Sequence, residues 1–123
     1  MLGAGMGVTY KRGVVRSNGH QAEVEFLVDS GAQYTLLTRD VWRRLHLQRK
    51  RTQGFTLGDG SHIERGIGEC EIVLDEGAGH TPVILGEPGD DQPLLGVVTL
   101  EEFGLVLNPI SRQLYRAPLL PLM

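Results

Sequence analysis

Residues 26–37, FLVDSGAQYTLL, drive an apolar strand straight into a carboxylate, a hydroxyl and a glycine, then resume an apolar run. Upstream, Ala22, Val24, Phe26 and Val28 alternate with Glu23 and Glu25, the period of a half-buried strand. Asp29 therefore stands at the edge of a core, where partial loss of water makes a carboxyl responsive to its neighbours. Gly31 lets the backbone turn sharply and lets another group approach. On the tripeptide alone, a plain turn is the simpler explanation, because Asp, Ser and Gly all favour turns.

Working outward, the connection Ser17-Asn18-Gly19-His20 carries Asn-Gly, the strongest short hairpin signal, and joins that strand to one beginning near Val8. After the short strand Tyr34 to Leu37, Thr38 suits a helix N-cap, and Val41, Trp42 and Leu45 share a helical face. A second hairpin runs from Phe55-Thr56-Leu57 through Gly58-Asp59-Gly60 into a long return strand, His62 to Leu74. Gly77-Ala78-Gly79 is expected to turn the chain into another strand, Thr81 to Leu85. Leu94-Leu95-Gly96 then precedes a one-turn helix expected to start at Thr99, where Thr99 to Glu102 matches a capping box and Gly104 suits the stop. A final hairpin is expected over Leu105 to Leu107 and Gln113 to Tyr115. Many short strands with one or two short helices favour a closed or folded-over all-β architecture. The order of strand, apolar run, glycine loop and short helix occurs twice, through Phe26 to Leu45 and Val83 to Phe103, as a likeness of layout.

FLVDSGAQYTLL closely resembles the motif of retropepsin-like aspartic proteases, and PLLGVVTLEEFGLVLNP (93–109) resembles that family's second signature. The two in this order, about Val8 to Tyr115, are more specific than either alone. The resemblance implies a retropepsin-like acid protease barrel working as a two-fold homodimer on a peptide or protein substrate. It implies Asp29 as the catalytic residue, with Ser30 bonding across the dimer axis and Gly31 and Ala32 lining the cleft floor. It further implies a flap carrying Leu57, Gly58, Asp59 and Gly60, and packing beneath the catalytic loop by Leu94, Leu95 and Gly96. Peptide hydrolysis of this kind needs water between two carboxyl groups, one as base and one as acid. A chain with one such motif takes the second from its twin, and two-fold dimers are the commonest oligomers. The activity implied is therefore an aspartic endopeptidase. The alternative is a non-catalytic dimeric peptide-binding module that retains the fold.

Two positions depart from the viral pattern. Where many viral members carry an acidic residue and an arginine that pair in the dimer, this chain has Gln33 and Val97. The helix Arg39 to His46 is also longer than in those enzymes, which suggests a cellular, microbial relative. No tyrosine lies near the expected flap tip, where Phe55 and His62 are the nearest rings.

At 123 residues the chain is long enough for one core and too short for a two-lobed enzyme. The expected division is a flexible leader over 1–7, a protease domain over 8–117 and a tail over 118–123. A net charge of −3 gives no general attraction to nucleic acid or anionic membrane. The basic run Trp42 to Arg51 is taken as a solvated helix face and loop, so no nucleic-acid partner is expected. No run approaches the roughly 18 apolar residues of a membrane span, and no secretory signal is legible. With Cys70 alone there is no internal disulfide, which fits a cytoplasmic protein. His20, His46, His62 and His80 lack ligand spacing, so neither a metal nor another cofactor is expected.

Overall fold

The computed structural model describes residues 9–117, so the leader and tail expected at 1–7 and 118–123 lie outside the described residues. Along the chain run β1 (Tyr10–Ser17), β2 (His20–Val28), β3 (Thr35–Leu37), α1 (Arg39–Arg44), β4 (Arg51–Thr56) and β5 (His62–Leu74). Then follow β6 (Gly77–Leu85), β7 (Leu94–Leu95), α2 (Val97–Glu102), β8 (Leu105–Leu107) and β9 (Leu114–Arg116).

The alternation read in β2 is realised: Ala22, Val24, Phe26 and Val28 are buried while Glu23 and Glu25 face water. Asn18 (φ 54°) and Gly19 (φ 76°) supply the two positive φ angles that a tight hairpin twisting with its strands requires. The strand order β1-β2-β7-β3-β6-β5 closes through an additional β1–β5 pairing, while β4 extends outward from β5. Two of the joints are parallel, β2 with β7 and β3 with β6. The β1–β5 pairing covers edges that a small open sheet would expose and leaves β4 as the outer strand. Inside lie Val15, Phe26, Leu37, Leu45, Ile72, Val83 and Leu95, each fully buried. β8 and β9 form a separate two-stranded sheet. Among the described residues no helix is long and apolar enough to cross a membrane.

Two local expectations are corrected. The β5–β6 turn is Asp75-Glu76, and Gly77 and Gly79 belong to β6, where Leu74 pairs with Gly77. A Cβ on Gly79 would come within 3.1 Å of the Phe103 ring, so this strand glycine serves close packing instead of turning. Likewise α2 begins at Val97 after Gly96, and Thr99 lies buried inside the helix instead of capping it. Gly104 takes φ +68° just beyond that helix, a conformation that favours glycine at helix ends.

The root of the β4–β5 hairpin is tied to the loop before β7 by Arg65, whose Nε and Nη2 donate to Asp90 at 2.7 and 3.2 Å. That hydrogen bond, aided by the Glu87 amide, holds the Asp90 carboxyl below its ordinary value against a smaller opposing effect of burial. A depressed folded-state pKa means the stabilisation is complete above the unfolded value and disappears as pH falls through the folded one. Asp90→Asn is expected to cost about 1–3 kcal/mol near neutrality. In urea melts the gap from the parent should close below roughly pH 4, near the ordinary carboxylate range.

Candidate active site

Asp29 leaves the end of β2 at a point where β7 runs alongside, pairing Leu27 with Leu94 and Val28 with Leu95. Leu27 N–H donates to the Pro93 carbonyl at 2.9 Å and Asp29 N–H to the Leu95 carbonyl at 3.1 Å. The loop closes on itself: Ala32 N–H donates to the Asp29 carbonyl at 3.0 Å, and Gly31 N–H to Asp29 Oδ1 at 2.9 Å. Its far side is held by α2, whose Val97 and Val98 amides donate to the Ala32 and Gln33 carbonyls, both at 2.9 Å. Those amides open a helix and have no partner within it, so the loop carbonyls satisfy them. Leu94 to Val98 thus brackets the Asp29 loop along its length, through backbone groups alone.

The Asp29 side chain is half-buried, while Ser30 and Gly31 are exposed. Among the described residues, Asp29 Oδ2 and the Ser30 hydroxyl have no hydrogen-bond partner, so both are open to another molecule. Gly96 is the tightest position: a Cβ there would fall 2.5 Å from the Tyr34 carbonyl oxygen and 2.8 Å from the Thr35 nitrogen.

Beneath the loop runs a chain of buried hydroxyls. Gly96 N–H donates to Thr35 Oγ1 at 3.0 Å; Thr35 and Thr99 Oγ1 are 2.6 Å apart; Thr99 and Thr81 Oγ1 are 2.8 Å apart. Thr81 in turn donates to the Pro82 carbonyl at 3.3 Å. Because a carbonyl can only accept, the direction is settled throughout: Thr99 donates to Thr81, and Thr35 donates to Thr99. β3, α2 and β6 are thereby joined where Asp29 is supported. Thr99→Val keeps the shape but leaves the buried Thr35 hydroxyl without an acceptor and Thr81 without its donor, and is expected to lower the urea-unfolding free energy by about 1–3 kcal/mol.

Across from the loop lies the β4–β5 hairpin. Its tip is built by Leu57 N–H donating to the Ser61 carbonyl at 2.8 Å and by Gly60 at φ +87°. The Ser61 hydroxyl and amide donate to Asp59 Oδ1 at 2.6 and 2.9 Å, which holds the Asp59 carboxyl below its ordinary value. Leu57, Gly58, Asp59 and Gly60 are all exposed. Lower on β4, the Phe55 ring meets Tyr34 edge-on at 6.0 Å, and Arg51 Nη2 donates to the Tyr34 hydroxyl at 3.0 Å. A tyrosine does contact this hairpin, therefore, but from the Asp29 loop and not from the tip.

Other chemistries find less support. Cys70 is buried, which pushes its thiol up to about 12 and makes it a packing residue instead of a nucleophile. Among the described residues no three His, Cys, Asp or Glu side chains gather to hold a metal ion. A hollow of ≈ 450 Å³ lies beside the β1–β2 turn, lined by Arg16, His20, Glu71 and His80 among others, and Asp29 takes no part in it.

Residues 14–102 match the family described as "gag-polyprotein putative aspartyl protease". The chain belongs to this family. The matched span takes in the Asp29 loop, the β4–β5 hairpin and Leu94-Leu95-Gly96, and ends within α2. Among solved structures, this aspartyl protease family member is similar to a retropepsin-like aspartic protease from Rickettsia conorii. The identity is 25%, with 83% of this chain and 85% of that one covered and a TM-score of 0.48. No curated protein matches. The architecture is the mostly-strand, two-helix retropepsin-like fold that the sequence predicted.

Three contacts of this family member escaped the sequence. Tyr34 was visible only as the start of a strand, and Arg51 only as part of a basic run. The buried threonines did leave a trace: Thr35 shares strand parity with Leu37, and Thr81 with Val83 and Leu85, so both belonged on the core face.

Proposed function

We propose that the protein is an aspartic endopeptidase whose active form is a two-fold homodimer, with the Asp29 carboxyl groups of both subunits flanking one water. The observation that carries this is the Asp29 loop itself. A half-buried carboxylate ends a buried strand, is fixed by the Gly31 amide on one oxygen, and keeps the other oxygen open. One such loop per chain supplies half of the acid–base pair.

In the dimer, the ionised Asp29 accepts a proton from the water as it attacks the peptide carbonyl, and the protonated partner donates to that carbonyl oxygen. The resulting tetrahedral species collapses as Asp29 passes the proton it took from water to the nitrogen and the partner carboxylate regains one from a hydroxyl; the C–N bond breaks, releasing an amine and a carboxylic acid. Ser30 contacts the partner loop across the axis, and Gly31 and Ala32 form the cleft floor. Leu57, Gly58, Asp59 and Gly60 form the flap tip over the substrate, which binds as an added strand. Leu94, Leu95 and Gly96 keep the loop in register: Leu94 pairs with Leu27, the Leu95 carbonyl accepts the Asp29 amide, and Gly96 N–H donates to Thr35 Oγ1. Gln33 and Val97 remove one intersubunit ion pair, but the Ala32–Val97 and Gln33–Val98 bonds still join loop to helix within each chain.

The test pairs sedimentation with cleavage of a mixed peptide library across a dilution series. Below the dimer dissociation constant the rate should rise with the square of total protein, and become linear once the dimer is saturated. A rate per mole that stays constant while the mass falls to that of a monomer would refute the shared site. Dimers that bind peptides yet cleave none would favour the peptide-binding module instead.

A further inference from the structure

Arg51, Gln53 and Phe55 alternate along one face of β4, and their β5 neighbours on that face are Ile67, Arg65 and Ile63. The face is turned toward Tyr34, which lies five residues after Asp29 in the same connection. It carries two arginines with different circumstances. Arg65 is neutralised by Asp90 at 2.7 Å. Arg51 is exposed and meets only neutral acceptors: Nη2 donates to the Tyr34 hydroxyl at 3.0 Å and Nη1 to Gln53 Oε1 at 2.7 Å.

No carboxylate among the described residues lies within 4.0 Å of it. On α1, Arg39, Arg43 and Arg44 are exposed too, yet no neighbour among the described residues holds their guanidinium groups, so they are ordinary solvated cations. Arg51 differs in being oriented in advance and uncompensated. Its Cζ sits 5.9 Å from the Tyr34 ring centroid, so the fork lies by the hydroxyl edge with further N–H donors still free. A planar fork fixed in this way matches a carboxylate, and less of its freedom remains to be lost on binding.

We propose that Arg51, held by Tyr34 and Gln53, with Phe55 packed on the same tyrosine, forms a subsite for an acidic side chain, Asp or Glu, of an extended peptide lying between the hairpin and the Asp29 loop. The inference takes from the endopeptidase reading only where the peptide lies, and it can stand or fall separately. Arg51 is the specificity-determining group; Tyr34 positions it.

The test uses Asp29→Asn protein, full chain, as a binder that does not turn peptide over. Fluorescent peptides carrying Glu, Gln or Lys at each position in turn are titrated by anisotropy. At one position Glu should bind about tenfold tighter than Gln, and Lys more weakly. Adding Arg51→Glu should reverse the order at that position alone, and Arg51→Gln should flatten it. Tyr34→Phe should shrink the Glu preference while leaving affinity for the Gln peptide unchanged, which a general loss of structure would not do. An unchanged charge preference in Arg51→Glu overturns the proposal, as does the absence of any preference or of any peptide binding. Wild-type protein that cleaves neutral and acidic peptides alike removes the subsite but leaves the endopeptidase. Protein that selects acidic peptides and cleaves none leaves the subsite and removes the endopeptidase.

Discussion

Asp29→Asn is expected to reduce peptide hydrolysis by at least about 10³-fold while dimer and fold persist. Asn is nearly isosteric, and its side-chain oxygen can still accept the Gly31 amide that Asp29 Oδ1 accepts at 2.9 Å. The loop geometry therefore has little reason to change, and stability should stay within about 0.5–1 kcal/mol of the parent. What disappears is the ability to take or give a proton at the open oxygen. Because the proposed site is shared, the substitution should also act across subunits. Wild-type protein mixed with an excess of Asp29→Asn should lose activity as mixed dimers form, in proportion to the fraction of wild-type pairs left. Mixing that only dilutes the rate would contradict a site built from two chains, and undiminished turnover by the variant alone would remove Asp29 from the chemistry.

The second large effect is expected at Gly96, from packing alone. Gly96→Ala places a methyl 2.5 Å from the Tyr34 carbonyl oxygen and 2.8 Å from the Thr35 nitrogen, both backbone atoms that cannot rotate aside. Relief requires β3 and the start of α2 to separate, which strains the Gly96 to Thr35 bond and the hydroxyl chain behind it. The cost should reach or exceed the upper end of about 1–3 kcal/mol typical of overpacking. The same shift pulls on the Leu95 carbonyl that receives the Asp29 amide, so cleavage should fall further than unfolding alone explains. Gly58→Ala is the natural control, since a Cβ there meets nothing within 4 Å and should leave the urea midpoint nearly unmoved. Equal midpoints for the two variants would show that Gly96 is not a close-approach position.

How far the site could be read in advance follows from these same residues. Local codes carried well. The alternation through β2, the Asn18-Gly19 turn and the FLVDSGA and PLLG segments each lie within a few residues of chain, and together they indicated an all-β barrel of this family. Local codes also misled where a residue's use is not local. Thr99 looks like a helix cap because Glu102 follows it three places on, yet burial draws its hydroxyl to Thr35 and Thr81. Gly77 and Gly79 look like a turn, yet both lie within β6, the second packed close against the Phe103 ring.

By itself, then, the sequence determined the strand pattern and the order of the two motifs, because periodicity and turn preference are properties of short segments, and the resemblance of those motifs pointed to the family. Only the tertiary structure decided that Gly96 must have no side chain, that three threonines form one directed chain, and that Tyr34 presents Arg51 beside the Asp29 loop. Those contacts join positions 61, 64 and 17 residues apart. They exist through the register in which β2 meets β7 and β3 meets β6, and that register is set by closure of the whole barrel, which no short window of sequence contains.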